Sequence, residues 1–136
     1  MLMLEGVTVK RGPVVALRDA HLTVQPGSVT VIVGPNGAGK TTTLQAVAGL
    51  LPVAEGSIWF QGQDVTALPV HRRCQLGIAY VPEDRQVYRD FSVEENLHAP
   101  TWGKRWPEKE VRARLQEALS LFPELLGLRH RKAGQL

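Results

Sequence analysis

Cysteine is nearly absent from this chain of 136 residues: Cys74 stands alone. A single cysteine excludes an intramolecular disulfide, and its simplest reading is a small core residue. Long apolar runs are missing too. No stretch approaches the roughly 18 to 20 residues needed to cross a bilayer. The start Met-Leu-Met-Leu-Glu has neither the basic nor the apolar region of a signal peptide, so the chain is expected to stay in the cytoplasm. The four histidines are scattered without ligand spacing, which argues against a metal held by protein side chains alone. Charge of one sign is not concentrated either: a net +3 without a long basic block is compatible with an anionic ligand but argues for no nucleic-acid partner. What remains is a hydrophobic fraction of 43% in a length that suits one domain with a real core and is short for two.

The informative stretch is Gly34-Pro35-Asn36-Gly37-Ala38-Gly39-Lys40-Thr41, which fits G-x-x-x-x-G-K-[ST]. Before it, the β-branched run 29–33 (Val-Thr-Val-Ile-Val) reads as a buried strand. After it, Leu44, Val47 and Ala48 recur at helical spacing. A glycine-rich bend between strand and helix turns backbone N–H groups toward an anion, and the helix start adds partial positive charge. Lys40 is expected to reach the β and γ phosphates of a nucleotide, and the Thr41 hydroxyl to take one position on Mg²⁺.

The N-terminal residues place Leu2, Leu4, Val7 and Val9 on one side of a half-buried strand, turned by 10–13. Residues 14–17 and 22–24 read as further short strands and 25–28 as a turn, giving an antiparallel layer. The helix after the phosphate loop ends near Pro52. Residues 56–60 read as a strand returning to that layer, with Trp59 as a packing residue, and 61–64 as a turn. Pro69 opens a short helix to about Gln75, and 77–81 (Gly-Ile-Ala-Tyr-Val) reads as a second core strand, parallel to 29–33. Next comes a charged loop with Glu83, Asp84, Arg85, Arg89 and Asp90. It is either a solvated loop or, since ligands gather beyond the carboxyl ends of strands in open α/β sheets, a place where Glu83 faces the same crevice as Lys40. Ser92 and Glu95 have capping-box spacing. A loop with two tryptophans spans 100–106. From Pro107 the strongest helix carries Val111, Leu115, Ala118, Leu119 and Phe122 on one apolar face.

Taken in order, 34–42 (GPNGAGKTT), 50–58 (LLPVAEGSI), 80–83 (YVPE) and 91–97 (FSVEENL) resemble the ATP-binding subunits of ABC transporters. The VPE loop, the VEENL start and Phe122-Pro123-Glu124-Leu125 are most similar to the branched-chain amino acid importers. The resemblance implies an α/β fold: a P-loop NTPase-like core with an N-terminal antiparallel β layer (1–81), then the Q-loop and helical subdomain (82–136), incomplete at the C-terminus. It also implies ATP and Mg²⁺ as cofactors. Gly34, Pro35, Asn36, Gly37, Ala38, Gly39, Lys40, Thr41 and Thr42 match the Walker A loop. Glu83 lies where most of the superfamily has the Q-loop glutamine, and its carboxylate would join Thr41 on the metal. The implied partners are transmembrane permease subunits and a second ATP-binding subunit, in a homo- or heterodimer. The implied place is cytoplasmic, peripheral on the inner face of the cell membrane.

Two departures shape the functional expectation. Arg11 stands where the family places an aromatic residue against adenine; a guanidinium plane can stack on a purine, with looser choice of base. The signature motif, the Walker B residues and the switch histidine would all follow Leu136. The chain is therefore expected to bind Mg-nucleotide without hydrolysing it, and to expose apolar surface where the Walker B strand would lie. The leading reading is an ATPase subunit powering solute import; the alternative is a nucleotide-binding fragment without transport activity. A stand-alone P-loop kinase is disfavoured, because the ordered downstream segments do not suit it.

Overall fold

The computed structural model describes residues 1–84, 86–102 and 106–136. Arg85 of the charged loop, and 103–105 of the loop with two tryptophans, lie outside the described residues. The chain divides into two compact units, Met1–Val81 and Pro82–Leu136.

In the first unit β1 (Leu2–Arg11) and β2 (Val14–Val24) form an antiparallel hairpin. β3 (Glu55–Phe60) returns along the other side of β1, and the two-residue β4 (Gln63–Asp64) completes the order β2-β1-β3-β4. The antiparallel layer is thus as expected, except that the two short strands 14–17 and 22–24 are one. The polar step between them is absorbed at Asp19, which takes φ 46 and donates its backbone N–H to Thr8 Oγ1 at 3.1 Å. β1 also explains how Leu4 and Val7 share a face although three residues apart. Its register shifts between them, with Gly6 at φ 61, so a bulge restores the phase that strict alternation would lose. Leu4, Val7, Val9, Ile58 and Val65 are all buried in the core, each contributing about 2 kcal/mol by leaving water. Trp59 packs as expected, half-buried, its Nε1 donating to Ser57 Oγ at 3.0 Å.

The two expected parallel strands do not form. Neither 29–33 nor 77–81 is a strand, and Val29, Val31 and Val33 are 93%, 73% and 83% exposed. A parallel strand has no hydrogen bonds of its own; a neighbour must supply them. The four strands present already pair with one another, and no described residue pairs with 29–33. Of the second run, Ile78 packs into the core and donates its N–H to Arg73 O at 3.0 Å, while Val81 is exposed.

α1 (Lys40–Ala48) follows the phosphate loop. Its buried residues are Thr42, Thr43, Ala46 and Ala48, whereas Leu44, expected inward, is exposed. Small side chains allow close packing here, and Thr43 buries without an unpaired hydroxyl because Oγ1 donates to Gly39 O at 2.9 Å. α2 (Val70–Leu76) is opened by Pro69 as expected. Its inward residue is Arg73, only 2% exposed, and its guanidinium is fully engaged. Nε donates to Leu68 O at 2.9 Å and Nη2 to Thr66 O at 2.8 Å. Nη1 donates to Ala46 O at 2.7 Å and Val47 O at 2.8 Å, so a cation closes the carbonyl end of α1. Burial lowers the Arg73 pKa, opposed by the Asp64 carboxylate. Asp64 is itself held below the usual carboxylate range by its hydrogen bonds with Thr66. Gly49 ends α1 at φ 81, where a Cβ would lie 2.9 Å from Arg73 Nε, so only glycine admits the arginine. Cys74, expected in the core, is exposed: Arg73 takes the buried position, and the next residue on a helix points about 100° away.

In the second unit α3 (Val93–His98) begins with the expected capping box. Ser92 N–H donates to Glu95 Oε2 at 2.7 Å and Glu95 N–H to Ser92 Oγ at 3.1 Å. Asn96 fastens the preceding loop: its Oδ1 accepts from Tyr88 N at 2.8 Å, and its Nδ2 donates to Tyr88 O at 3.0 Å and Ser92 O at 2.9 Å. Residues 131–133 lie along this segment through their backbone, Val93 N–H donating to Arg131 O at 3.0 Å and Ala133 N–H to Phe91 O at 2.8 Å. α4 (Glu108–Leu121) carries i, i+4 ion pairs between Glu108 and Arg112 and between Glu110 and Arg114. Val111, Leu115 and Ala118 are half-buried and Leu119 buried, as expected. Phe122 is not on that face: the helix stops at Leu121, φ turns to −132 and the ring is 58% exposed.

Candidate functional site

The phosphate loop precedes α1 in the conformation its glycines permit. Gly37 and Gly39 take φ 84 and 87, the left-handed region. Gly39 is also the N-cap of α1, and no side chain caps that end. The first turn holds no acidic residue, so its N–H groups and the positive end of the helix dipole stay available to an anion. β2 backs the loop closely: a Cβ on Gly39 would meet Leu17 Cδ1 at 2.9 Å and Ala16 O at 3.4 Å.

Lys40 Nζ donates to Gly34 O and to Pro35 O, each at 2.8 Å, so the ammonium crosses from the helix start to the opposite side of the loop. Both acceptors are neutral carbonyls. A phosphate oxygen adds a full negative charge that a carbonyl lacks, which lets a bound phosphate draw Lys40 away from them. Gly34, Pro35, Asn36, Gly37, Ala38, Gly39, Lys40, Thr41 and Thr42 are thereby one contiguous turn and helix start. Ala38 N–H donates to Pro35 O at 3.2 Å inside it. Thr41 is exposed on the first helical turn, and Thr42 is buried.

Arg11 lies at the end of β1, and its Nη2 donates to Gln45 Oε1 on α1 at 2.6 Å. Sequence reasoning singled out Arg11 but missed Gln45, because nothing local links positions 34 residues apart. Glu83 is exposed at the start of the second unit, while Thr41 belongs to the first. Among the described residues no three His, Cys, Asp or Glu side chains cluster to hold a metal ion. A cation at this site would take most of its ligands from phosphate oxygens and water, the habit of Mg²⁺.

Residues 17–135 match the sequence profile of the ABC transporter family. The chain belongs to the ABC transporter family. Among relatives of this ABC transporter chain is the "Probable branched-chain amino acid transport ATP-binding protein LivF" of Archaeoglobus fulgidus. It is 41% identical over 120 residues, which are 88% of this chain and 50% of that protein. The high-affinity branched-chain amino acid transport ATP-binding protein BraG of Pseudomonas aeruginosa is 34% identical over 100% of the chain and 58% of its own length. The lipopolysaccharide export system ATP-binding protein LptB of Haemophilus influenzae is 44% identical over 60% of the chain and 34% of its own. A nucleotide-free ATP-binding cassette from an ABC transporter superposes with a TM-score of 0.81 at 29% identity, over 100% of this chain and 58% of that one. The chain thus spans about half the length of the curated relatives it matches. The α/β fold with an antiparallel N-terminal sheet followed by helices is that of ABC ATPase cassettes. No helix among the described residues is long and apolar enough to cross a membrane.

Proposed function

We propose that this chain forms the nucleotide-binding part of an ATP-binding subunit that couples ATP hydrolysis to import of a small solute, namely branched-chain amino acids. The observation that carries the reading is the uncapped, acid-free start of α1 beneath a left-handed glycine turn, with Lys40 arched over it. That arrangement offers the amides and the charge that a polyphosphate needs. Lys40 and the loop amides hold the β and γ phosphates, Thr41 takes one position on Mg²⁺, and Arg11 stacks on the base. Mg²⁺ when bound neutralises charge between the terminal phosphates. The solute reading is supported by coverage: the branched-chain relatives align over 88% and 100% of the chain, the export relative over 60%. Transmembrane permease subunits and a second ATP-binding subunit are the partners in this reading, which puts the protein on the cytoplasmic face of the membrane. The exposed Phe122, Leu121 and Leu126 of the second unit supply apolar surface for such a partner.

Residues 1–136 bind nucleotide without turning it over, because none of the described residues is placed to orient an attacking water. Calorimetric titration of Mg-ATP, beside a phosphate-release assay on material confirmed by mass, tests both halves. Saturable binding is expected, abolished by Lys40→Ala, with release no faster than in that variant. Wild-type binding equal to Lys40→Ala overturns the phosphate site, and release well above the variant overturns the inactive reading. A transport assay with leucine, isoleucine and valine on the whole assembly tests the solute; its failure with intact ATP binding favours a fragment without transport activity.

A further inference from the structure

We infer that Gln45 is a positioning residue: it holds the Arg11 guanidinium as a platform for the nucleotide base. The inference rests on the phosphate-site reading and adds a residue to it. Two contacts set the β1–β2 hairpin along α1. Leu17 of β2 meets the N-cap, where a Cβ on Gly39 would lie 2.9 Å from its Cδ1, and Arg11 at the end of β1 meets Gln45 by the 2.6 Å hydrogen bond. Gly39 to Gln45 is six residues, about 9 Å along a helix axis. That is close to the span by which a nucleoside triphosphate separates its base from its outer phosphates. A ligand with its phosphates at the start of α1 that runs along the helix would bring its base beside Arg11.

An exposed arginine on its own samples many rotamers, and ordering it costs much of what stacking would gain. Here one edge of the guanidinium, Nη2, is already engaged by a neutral acceptor on the helix that binds the phosphates. The planar faces stay open for a purine, and face-to-face stacking does not depend on which base is present. Gln45 donates nothing to the phosphates in this arrangement. Its effect is confined to the base and passes through Arg11.

Calorimetric titrations of Mg-ATP, Mg-GTP and Mg-tripolyphosphate against the 136-residue chain test this. The base contribution is the ratio of the tripolyphosphate Kd to the nucleotide Kd. In the wild type this ratio exceeds one for both nucleotides, and Arg11→Ala brings it close to one. Gln45→Ala is expected to lower it about threefold for both, the scale of an exposed cation–π contact, with tripolyphosphate affinity unchanged. Gln45→Glu keeps an acceptor at the same place and restores the ratio. A ratio unaffected by Gln45→Ala, or by Arg11→Ala, overturns the inference. So does parallel weakening of tripolyphosphate and nucleotides in Gln45→Ala, since that marks a general effect on α1. Absence of tripolyphosphate binding in the wild type is a different failure: it overturns the phosphate site, and this inference with it.

Discussion

Two helices of this chain begin with the same physical problem and solve it differently. α3 satisfies its start from within: Ser92 and Glu95 exchange hydrogen bonds with each other's backbone N–H groups. α1 has glycine at that position, no side-chain cap and no acid in its first turn. A cap is worth about 1 kcal/mol, so leaving α1 open costs stability that its other end offsets. There the buried Arg73 binds the carbonyls of Ala46 and Val47. The contrast separates a helix start consumed by folding from one left open, and since α2 also starts without a side-chain cap or an acid, it is the left-handed glycine turn and Lys40 that set α1 apart.

The largest effect is expected at the closed end of α1. Arg73→Met keeps much of the volume but removes the guanidinium from the carbonyls of Val47, Thr66, Leu68 and Ala46, of which Ala46 keeps the Gly49 N–H. It should destabilise the first unit by about 3 kcal/mol, read as a lower urea midpoint by circular dichroism. A change below 0.5 kcal/mol would mean that the C-terminal closure does not offset the open start.

Closing the open end comes next. Gly39→Ala forces a side chain into φ 87 and against Leu17, a strain of about 1–2 kcal/mol. Nucleotide affinity should fall about tenfold as the amides turn away, while the α3 region keeps its amide exchange protection. Unchanged affinity would show that the left-handed N-cap is dispensable to the site.

The smallest effect belongs to the filled start. Ser92→Ala should cost about 1 kcal/mol and leave nucleotide affinity alone. Hydrogen bonds from Ser92, backbone first, hold the Glu95 carboxyl below its ordinary 4.5. A carboxyl depressed on folding adds stability that is fully present above 4.5 and is lost as pH falls through its lower folded value. Acid titration of the wild type should thus show a loss below pH 4.5 that Ser92→Ala reduces only in part, since alanine keeps the backbone donor, and a larger loss in the variant would contradict it.

Reading the chain from its letters succeeded where the physics is short-range. The capping box needs only a spacing of three residues. The turn at Gln61-Gly62 and the antiparallel pairing follow from alternation, although β4 extends into residues expected as part of that turn. Arg73 was not legible, because its acceptors Ala46 and Val47 lie 27 and 26 residues away and nothing in an amphipathic pattern marks an arginine as buried. Cys74 and Phe122 were misread for related reasons: one yields the inward position to Arg73, the other falls just past the end of its helix.

The sequence by itself determined the turn before α1, since glycines at 37 and 39 take φ 84 and 87 without the strain a side chain would bring. It likewise determined the order of the antiparallel strands and of the helices. Tertiary structure alone decided which residues share an environment: Gln45 with Arg11, Arg73 with the end of α1, Leu17 with Gly39. It also decided that 29–33, for all its β-branched residues, is not a strand here. Propensity prepares a chain to extend, but the hydrogen bonds that make it a strand come from a neighbour.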